Sequence, residues 1–261
     1  MNRRRLLPVL AAMFLCAGAI FAADPVATAP ATPPAATNPR PRTVAPADQP
    51  AIKPGAGFMN THNQYVALAK KGGIDLYFVG DSITDGWHGG GKKVWTDAFG
   101  GWNPGNFGIG GDRTEHVLWR LQNGELDGVS PKAFVIMIGT NNVGTSTPAQ
   151  VAAGVGAIVK TIQDKNPKAK ILLLAIFPRG ATATDRNRVA NDAANVLIAK
   201  LDDGKNVKFM DIGKKFLADD GTLSKDIMPD LLHPNEKGYQ IWADAITPTL
   251  TEWLGPKPAT K

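Results

Sequence analysis

Five short apolar runs constrain this chain more than any other feature: Asp75–Val79, Asn103–Phe107, Ala133–Ile138, Lys170–Ile176 and Val207–Asp211. They alternate with longer stretches of helical periodicity at Met59–Lys71, Arg113–Gln122, Pro148–Lys165, Asp185–Leu201 and Asn235–Trp253. Strands of this length, apolar on both sides and separated by helices, predict a parallel sheet covered on both faces. A chain of 261 residues with 43% hydrophobic content can fill such a core once, with appendages to spare. In sheets of this kind the ligand site lies beyond the carboxyl ends of the strands. That rule directs attention to the loops after Val79, Phe107, Ile138 and Asp211.

The flanks are of another character. Arg3-Arg4-Arg5, the apolar Leu6–Phe21 and the small pair Ala22-Ala23 predict an export signal over residues 1–23. Pro8 and the shortness of the run argue against a membrane span, an uncleaved anchor being the alternative. The arginine pair is only faintly twin-arginine-like, and Met13-Phe14-Leu15 lacks the small residues of a lipoprotein site. Cys16 is the only cysteine, so a cleaved chain has no disulfide or thiol chemistry. Cleavage also removes three arginines and lowers the net charge from +6 to +3. No basic cluster with interleaved aromatics remains, which argues against a nucleic-acid partner. Residues 24–54 hold nine of the 20 prolines and almost no large apolar side chains. They predict an extended, disordered spacer running to about residue 56. The folded domain is expected over 57–254, with a tail over 255–261 and no internal repeat.

The loops hold the residues for one reaction. After the first strand comes Gly80-Asp81-Ser82-Ile83, where Thr84 replaces the last glycine of a G-x-S-x-G elbow. After the second comes "NFGIGGDRT", whose glycines leave backbone N–H groups open at a helix start. "IGTNN" places Asn141 beyond the third strand, and "PDLLHPNEKGY" sets Asp230 three residues before His233. A serine hydroxyl needs a base to take its proton, and a histidine base needs an acceptor to fix its tautomer. Ser82, His233 and Asp230 fill those roles, and Pro234 biases His233 away from helical dihedrals. The N–H groups of Ser82 and Gly111 and the amide of Asn141 then serve as oxyanion donors.

"GDSI", the glycine of "GIGGD", "GTNN" and "DLLH" occur in this order, and together they resemble the SGNH (GDSL) hydrolase superfamily. "NFGIGGDRTEHVLWRLQNGEL", "GTNN" and "PRG" resemble more closely the catalytic subunits of platelet-activating factor acetylhydrolase Ib and their bacterial relatives. The resemblance spans nearly all of Ile74–Leu250. It implies a three-layer α/β/α, flavodoxin-like fold on a five-stranded parallel sheet, and metal-independent ester hydrolysis with no cofactor. It also implies Ser82 as nucleophile, Gly111 and Asn141 as oxyanion donors, and an Asp230–His233 pair completing the triad.

Other residues compete for roles. His62 and His116 read as surface or packing residues, and Asn142 as a plain loop residue. His88 ranks second as a base and is a candidate pocket residue. Asp112 and His116, four apart, lack a third metal ligand. "GWHGGGKK" has Lys93 where a phosphate loop needs Ser or Thr, and "GIGGDR" has Arg113 where a dinucleotide fingerprint needs glycine. Ile83, Thr140 and Leu232 adjoin site residues and are expected to crowd the acyl side, which favours acetyl esters. Trp95 and Trp119 read as core or rim residues. Trp87 and Trp102 read the same way, as core or rim rather than a cofactor box, and lying near the loops they could also stack on a sugar. The expected substrate is therefore a small-molecule or polysaccharide acetyl ester, with an acetylated phospholipid as the alternative. A sugar-binding module with a relic site is the non-enzymatic reading.

Overall fold

The computed structural model describes residues 45–258. The expected export signal, residues 24–44 of the expected spacer and residues 259–261 of the tail lie outside the described residues. Five strands form one sheet in the order β2-β1-β3-β4-β5, and all four pairings are parallel. They are β1 (Leu76–Gly80), β2 (Pro104–Gly108), β3 (Ala133–Met137), β4 (Lys170–Leu174) and β5 (Val207–Met210). The helices are α1 (Ala56–Lys71), the one-turn α2 (Ser82–Asp85), α3 (Lys92–Phe99), α4 (Thr114–Arg120), α5 (Pro148–Lys165), α6 (Arg186–Ile198) and α7 (Glu236–Leu254).

Side-chain alternation along the strands feeds two cores. Tyr77, Val79, Phe134, Ile136, Ile171 and Leu173 pack with α1, α4, α5 and α6, while Leu76, Phe78, Val135, Met137, Leu172 and Leu174 pack with α3 and α7. This is the flavodoxin-like three-layer arrangement that the alternation and the resemblance implied. Its topological switch lies at β1, with β2 on one side and β3 on the other, so the loops after these strands converge. Among the described residues no helix is long and apolar enough to cross a membrane.

Three features depart from the expectations. Lys92–Phe99 is helical although Gly89–Gly91 precede it; Val94 and Ala98, and Trp95 and Phe99, sit four apart and dock on the α7 side. The helix expected to reach Gln122 ends at Arg120 and loosens into a wide turn over Leu121–Glu125, where Gly124 takes φ +111°. The third concerns the spacer, whose C-terminal part is built onto the fold. Ala47 is buried, its carbonyl accepts from Thr114 Oγ1 at 2.8 Å, and Ala51 N–H donates to Glu115 O at 3.0 Å. Proline-rich composition hid this arm because backbone hydrogen bonds, not large apolar side chains, dock it.

Candidate active site

Ser82 is presented by a tight strand-to-helix turn. β1 stops at Gly80, and Asp81 caps α2 by accepting the Ile83 N–H at 3.0 Å. Ser82 is then the first residue of α2, so its own N–H has no intrahelical acceptor. Two buried side chains clamp this turn: Asn106 Nδ2 donates to Thr84 O at 3.0 Å, and Tyr239 Oη donates to Ile83 O at 2.7 Å. β2 approaches so closely that a Cβ on Gly108 would fall 2.2 Å from the Asp85 nitrogen. Only glycine fits there.

The loop before α7 brings the base. Leu231 adopts φ +60°, and the Asp230 Oδ1 accepts the N–H groups of Leu232 at 3.0 Å and His233 at 2.7 Å. Asp230 Oδ2 lies 2.6 Å from His233 Nδ1, and His233 Nε2 lies 2.8 Å from Ser82 Oγ. An ionised carboxylate only accepts, so Nδ1 carries the proton and Nε2 is free to accept the serine hydroxyl. Burial alone pushes the Asp230 carboxyl up. Hydrogen bonds from the His233 ring and backbone and from Leu232 outweigh it and hold the group below the ordinary carboxylate value.

The third element is the loop Ile109–Arg113. A Cβ on Gly110 would lie 3.9 Å from Ser82 Cβ, so this loop sits directly on the nucleophile. Gly111 takes φ +74°, a backbone state that favours glycine. Asn141 Nδ2 donates one hydrogen to Asp112 O at 2.9 Å, which orients the amide and leaves its second hydrogen available. Serine, histidine, aspartate, the Gly111 turn and Asn141 are thus gathered at the carboxyl ends of β1, β2 and β3.

A support that the sequence reading missed lies beneath this loop. Arg120 is fully buried: Nε donates to Asp112 Oδ2 at 2.7 Å, Nη1 to Glu125, and Nη2 to the carbonyls of Gly80 (3.0 Å) and Phe107 (2.8 Å). It therefore ties the ends of β1 and β2 to the Gly111 loop. Asn142 is more than a plain loop residue. It is buried, accepts the Thr114 N–H at 3.1 Å and donates to Thr114 Oγ1 and Glu115, pinning the Asn141 turn to α4. Arginine at one position of a helical pattern gives no sequence cue to burial, which only the pairing with Asp112 and Glu125 makes affordable.

Several expected pocket residues are placed elsewhere. Trp87 is 1% exposed and packs among Phe99, Trp95, Tyr239 and Trp242, so it is core and cannot stack on a sugar. Trp102 is also buried, with its indole N–H on Gly255 O at 3.1 Å. Ile83 is locked in the α7-side core, and the Thr140 hydroxyl is taken by Arg179 and Asn191; neither is a free pocket wall. Leu232 alone of the three remains partly exposed. His88 is exposed and pairs with Asp85 at 3.3 Å, and His233 rather than His88 meets the serine hydroxyl. His62 and His116 are both buried: His62 meets Glu125 at 2.9 Å, and His116 accepts the Arg113 N–H at 3.1 Å. Burial, reinforced by the charges of Arg113, Lys53 and Arg120, lowers the His116 pKa to about 3, which keeps its ring neutral.

Asp81 is a second buried carboxyl at the nucleophile. Its Oδ2 finds no protein partner among the described residues. Burial, reinforced by the Asp112 charge and opposed by the Ile83 N–H and His233, raises its pKa to about 7. The folded state therefore holds a proton that the unfolded chain releases near the ordinary carboxylate value. This group's contribution to stability is full at low pH and is lost as pH rises toward 7. Between about pH 5 and pH 8, wild type is expected to lose roughly 1–3 kcal/mol more unfolding free energy than Asp81→Asn, as read by urea titration. Parallel pH profiles would contradict it.

A serine–histidine–aspartate relay beside the Gly111 turn and the Asn141 amide, at the switch point of a parallel sheet, is the arrangement of a nucleophilic ester hydrolase of the SGNH kind. The GDSL-like lipase/acylhydrolase family model matches residues 78–241. The chain belongs to that family. Platelet-activating factor acetylhydrolase IB subunit alpha2 of Rattus norvegicus is 40% identical over 185 residues, covering 70% of this chain and 78% of that protein. Among solved structures, a GDSL-like lipase from Bacteroides thetaiotaomicron matches with a TM-score of 0.56 at 20% identity, over 73% of this chain and 97% of the other. An acetylxylan esterase from Geobacillus stearothermophilus matches with a TM-score of 0.54 at 19% identity, over 71% and 95%.

Proposed function

We propose that this chain is an exported esterase that removes short acyl groups, above all acetyl, from carbohydrate esters. The observation that carries the chemistry is the relay at 2.8 and 2.6 Å through Ser82, His233 and Asp230. Ser82 Oγ attacks the acyl carbon while His233 Nε2 takes the hydroxyl proton. The oxyanion forms against the N–H groups of Ser82 and Gly111 and the Asn141 amide. Collapse expels the alcohol, protonated by His233, and a water activated by the same ring then releases the acid.

Acetyl preference is supported by the acetylhydrolase name of a relative at 40% identity. The alcohol part rests on two arguments. His233 and Asp230 side chains are 41% and 55% exposed, so the relay sits in a shallow, open site suited to an ester displayed on a large polar molecule. The basic–apolar segment 1–23 supports export, which places such esters within reach. The same relative supports a second reading, an acetylated phospholipid. Acetate release is expected from acetylated monosaccharides or acetyl-xylan at rates at least tenfold above an acetyl phospholipid. p-Nitrophenyl acetate should exceed the octanoate in kcat/KM by a similar factor. Faster turnover of the phospholipid would establish the second reading, and a preference for octanoate would overturn the short-acyl assignment.

A further inference from the structure

The N-terminal arm places a cation on the back of the oxyanion hole. Residues 45–55 precede the segment matched by the family model, and they dock on the first turn of α4 through Ala47 and Ala51. That docking delivers Lys53 to the Gly111 loop. Its Nζ donates to the carbonyl of Gly110 and lies 3.5 Å from Asp112 Oδ1, whose carboxylate is held from the other side by Arg120.

Gly110 C=O and Gly111 N–H belong to one peptide unit, and no peptide bond among the described residues is cis. In a trans unit the two groups point in opposite directions, so a carbonyl fixed on Lys53 turns the N–H away from it. Among the described residues no protein acceptor takes that N–H. The unit lies against Ser82, with the Gly110 Cβ position 3.9 Å from the serine Cβ. A cation on the carbonyl also draws density from the amide and strengthens its N–H as a donor. We propose that Lys53 is a positioning residue of the oxyanion hole, orienting and polarising the Gly110–Gly111 peptide so that its N–H holds the negative oxygen of the tetrahedral intermediate. The inference rests on the ester-hydrolase reading of Ser82. It assigns the arm a share in turnover beyond its docking contacts.

The test compares full-length wild type, Lys53→Met and Lys53→Arg. Lys53→Met is expected to lower kcat on p-nitrophenyl acetate about 10- to 100-fold, less than or equal to the loss of a whole donor. KM should stay within twofold, since the charge it stabilises exists only in the transition state. Affinity for a boronic acid that forms a tetrahedral adduct with Ser82 should fall in parallel, and Lys53→Arg should restore most of both. The Gly111 amide proton resonance should move upfield in Lys53→Met, a readout that needs no turnover. Unchanged kcat and an unmoved Gly111 resonance would overturn the proposal, as would a kcat loss with boronate affinity intact. Wild type inactive on every ester would sink the hydrolase reading instead, while the Gly111 resonance would still decide what Lys53 does to the peptide.

Discussion

Ser82→Ala is expected to lower kcat/KM on p-nitrophenyl acetate by about 10⁴-fold or more, with the fold unchanged. In the proposed mechanism Ser82 Oγ is the atom that forms the acyl bond, and it is this oxygen that lies 2.8 Å from the His233 nitrogen. His233→Ala should cost about as much, because a serine without its base is hardly a nucleophile. The double variant should therefore lose little further; what activity remains comes from the oxyanion donors and binding. Stability should hardly move, since Asp81 rather than Ser82 caps α2 and the serine is only partly buried. Thermal melting within about 2 °C of wild type would confirm that chemistry alone was removed. Retained hydrolysis in Ser82→Ala would overturn the assignment. Failure of the wild-type Ser82 to react with a fluorophosphonate probe would instead favour a relic site.

Ser82 was legible because it stands where β1 ends, a position the alternation marks, whereas Asp230 and His233 stand on the loop just before α7 and were legible from their three-residue spacing ahead of Pro234. The helix over Pro148–Lys165 was equally plain: Thr147 and Gln150 form a capping box and Pro148 suits the first turn. What escaped was tertiary. The alternative of sugar stacking for Trp87, just before Gly89–Gly91, and Trp102, just after Gly100-Gly101, fails because the space between α3 and α7 draws both indoles into the core. Ile83 and Thr140 neighbour site residues along the chain, but in a turn adjacent side chains leave in different directions, and these two go into the fold. Tyr239, which anchors the nucleophile's turn from 156 residues away, reads as an ordinary helix position in the sequence. The docked arm carries no periodic pattern at all, so its Lys53 had no sequence signal beyond being a charge among prolines.

Arg120→Met is expected to destabilise the protein by about 3–5 kcal/mol, the cost of breaking a buried ion pair from one side. Methionine fills much of the arginine's volume, so packing loss is the smaller part. The larger part is what stays behind: the Asp112 and Glu125 carboxylates, both without exposure, and the Gly80 and Phe107 carbonyls, each of which loses the guanidinium N–H although Gly80 keeps that of Ile109. Burial already raises the Asp112 pKa, and the Arg120 charge and hydrogen bond are the main forces opposing that rise. Removing them pushes it further up, so the folded variant binds a proton that the unfolded chain releases near the ordinary carboxylate value. Stability of the variant then falls as pH rises through that interval, while acid supplies the proton and relieves the buried charge. Urea unfolding at about pH 8 and about pH 5 should show the gap to wild type narrowing at the lower value by roughly 1 kcal/mol or more. Because Asp112 also receives Asn141 and Lys53, the fraction still folded should show lower kcat on p-nitrophenyl acetate than wild type. A variant as stable as wild type at both pH values would mean that the four buried groups find other partners, and that the Gly111 loop does not depend on the guanidinium.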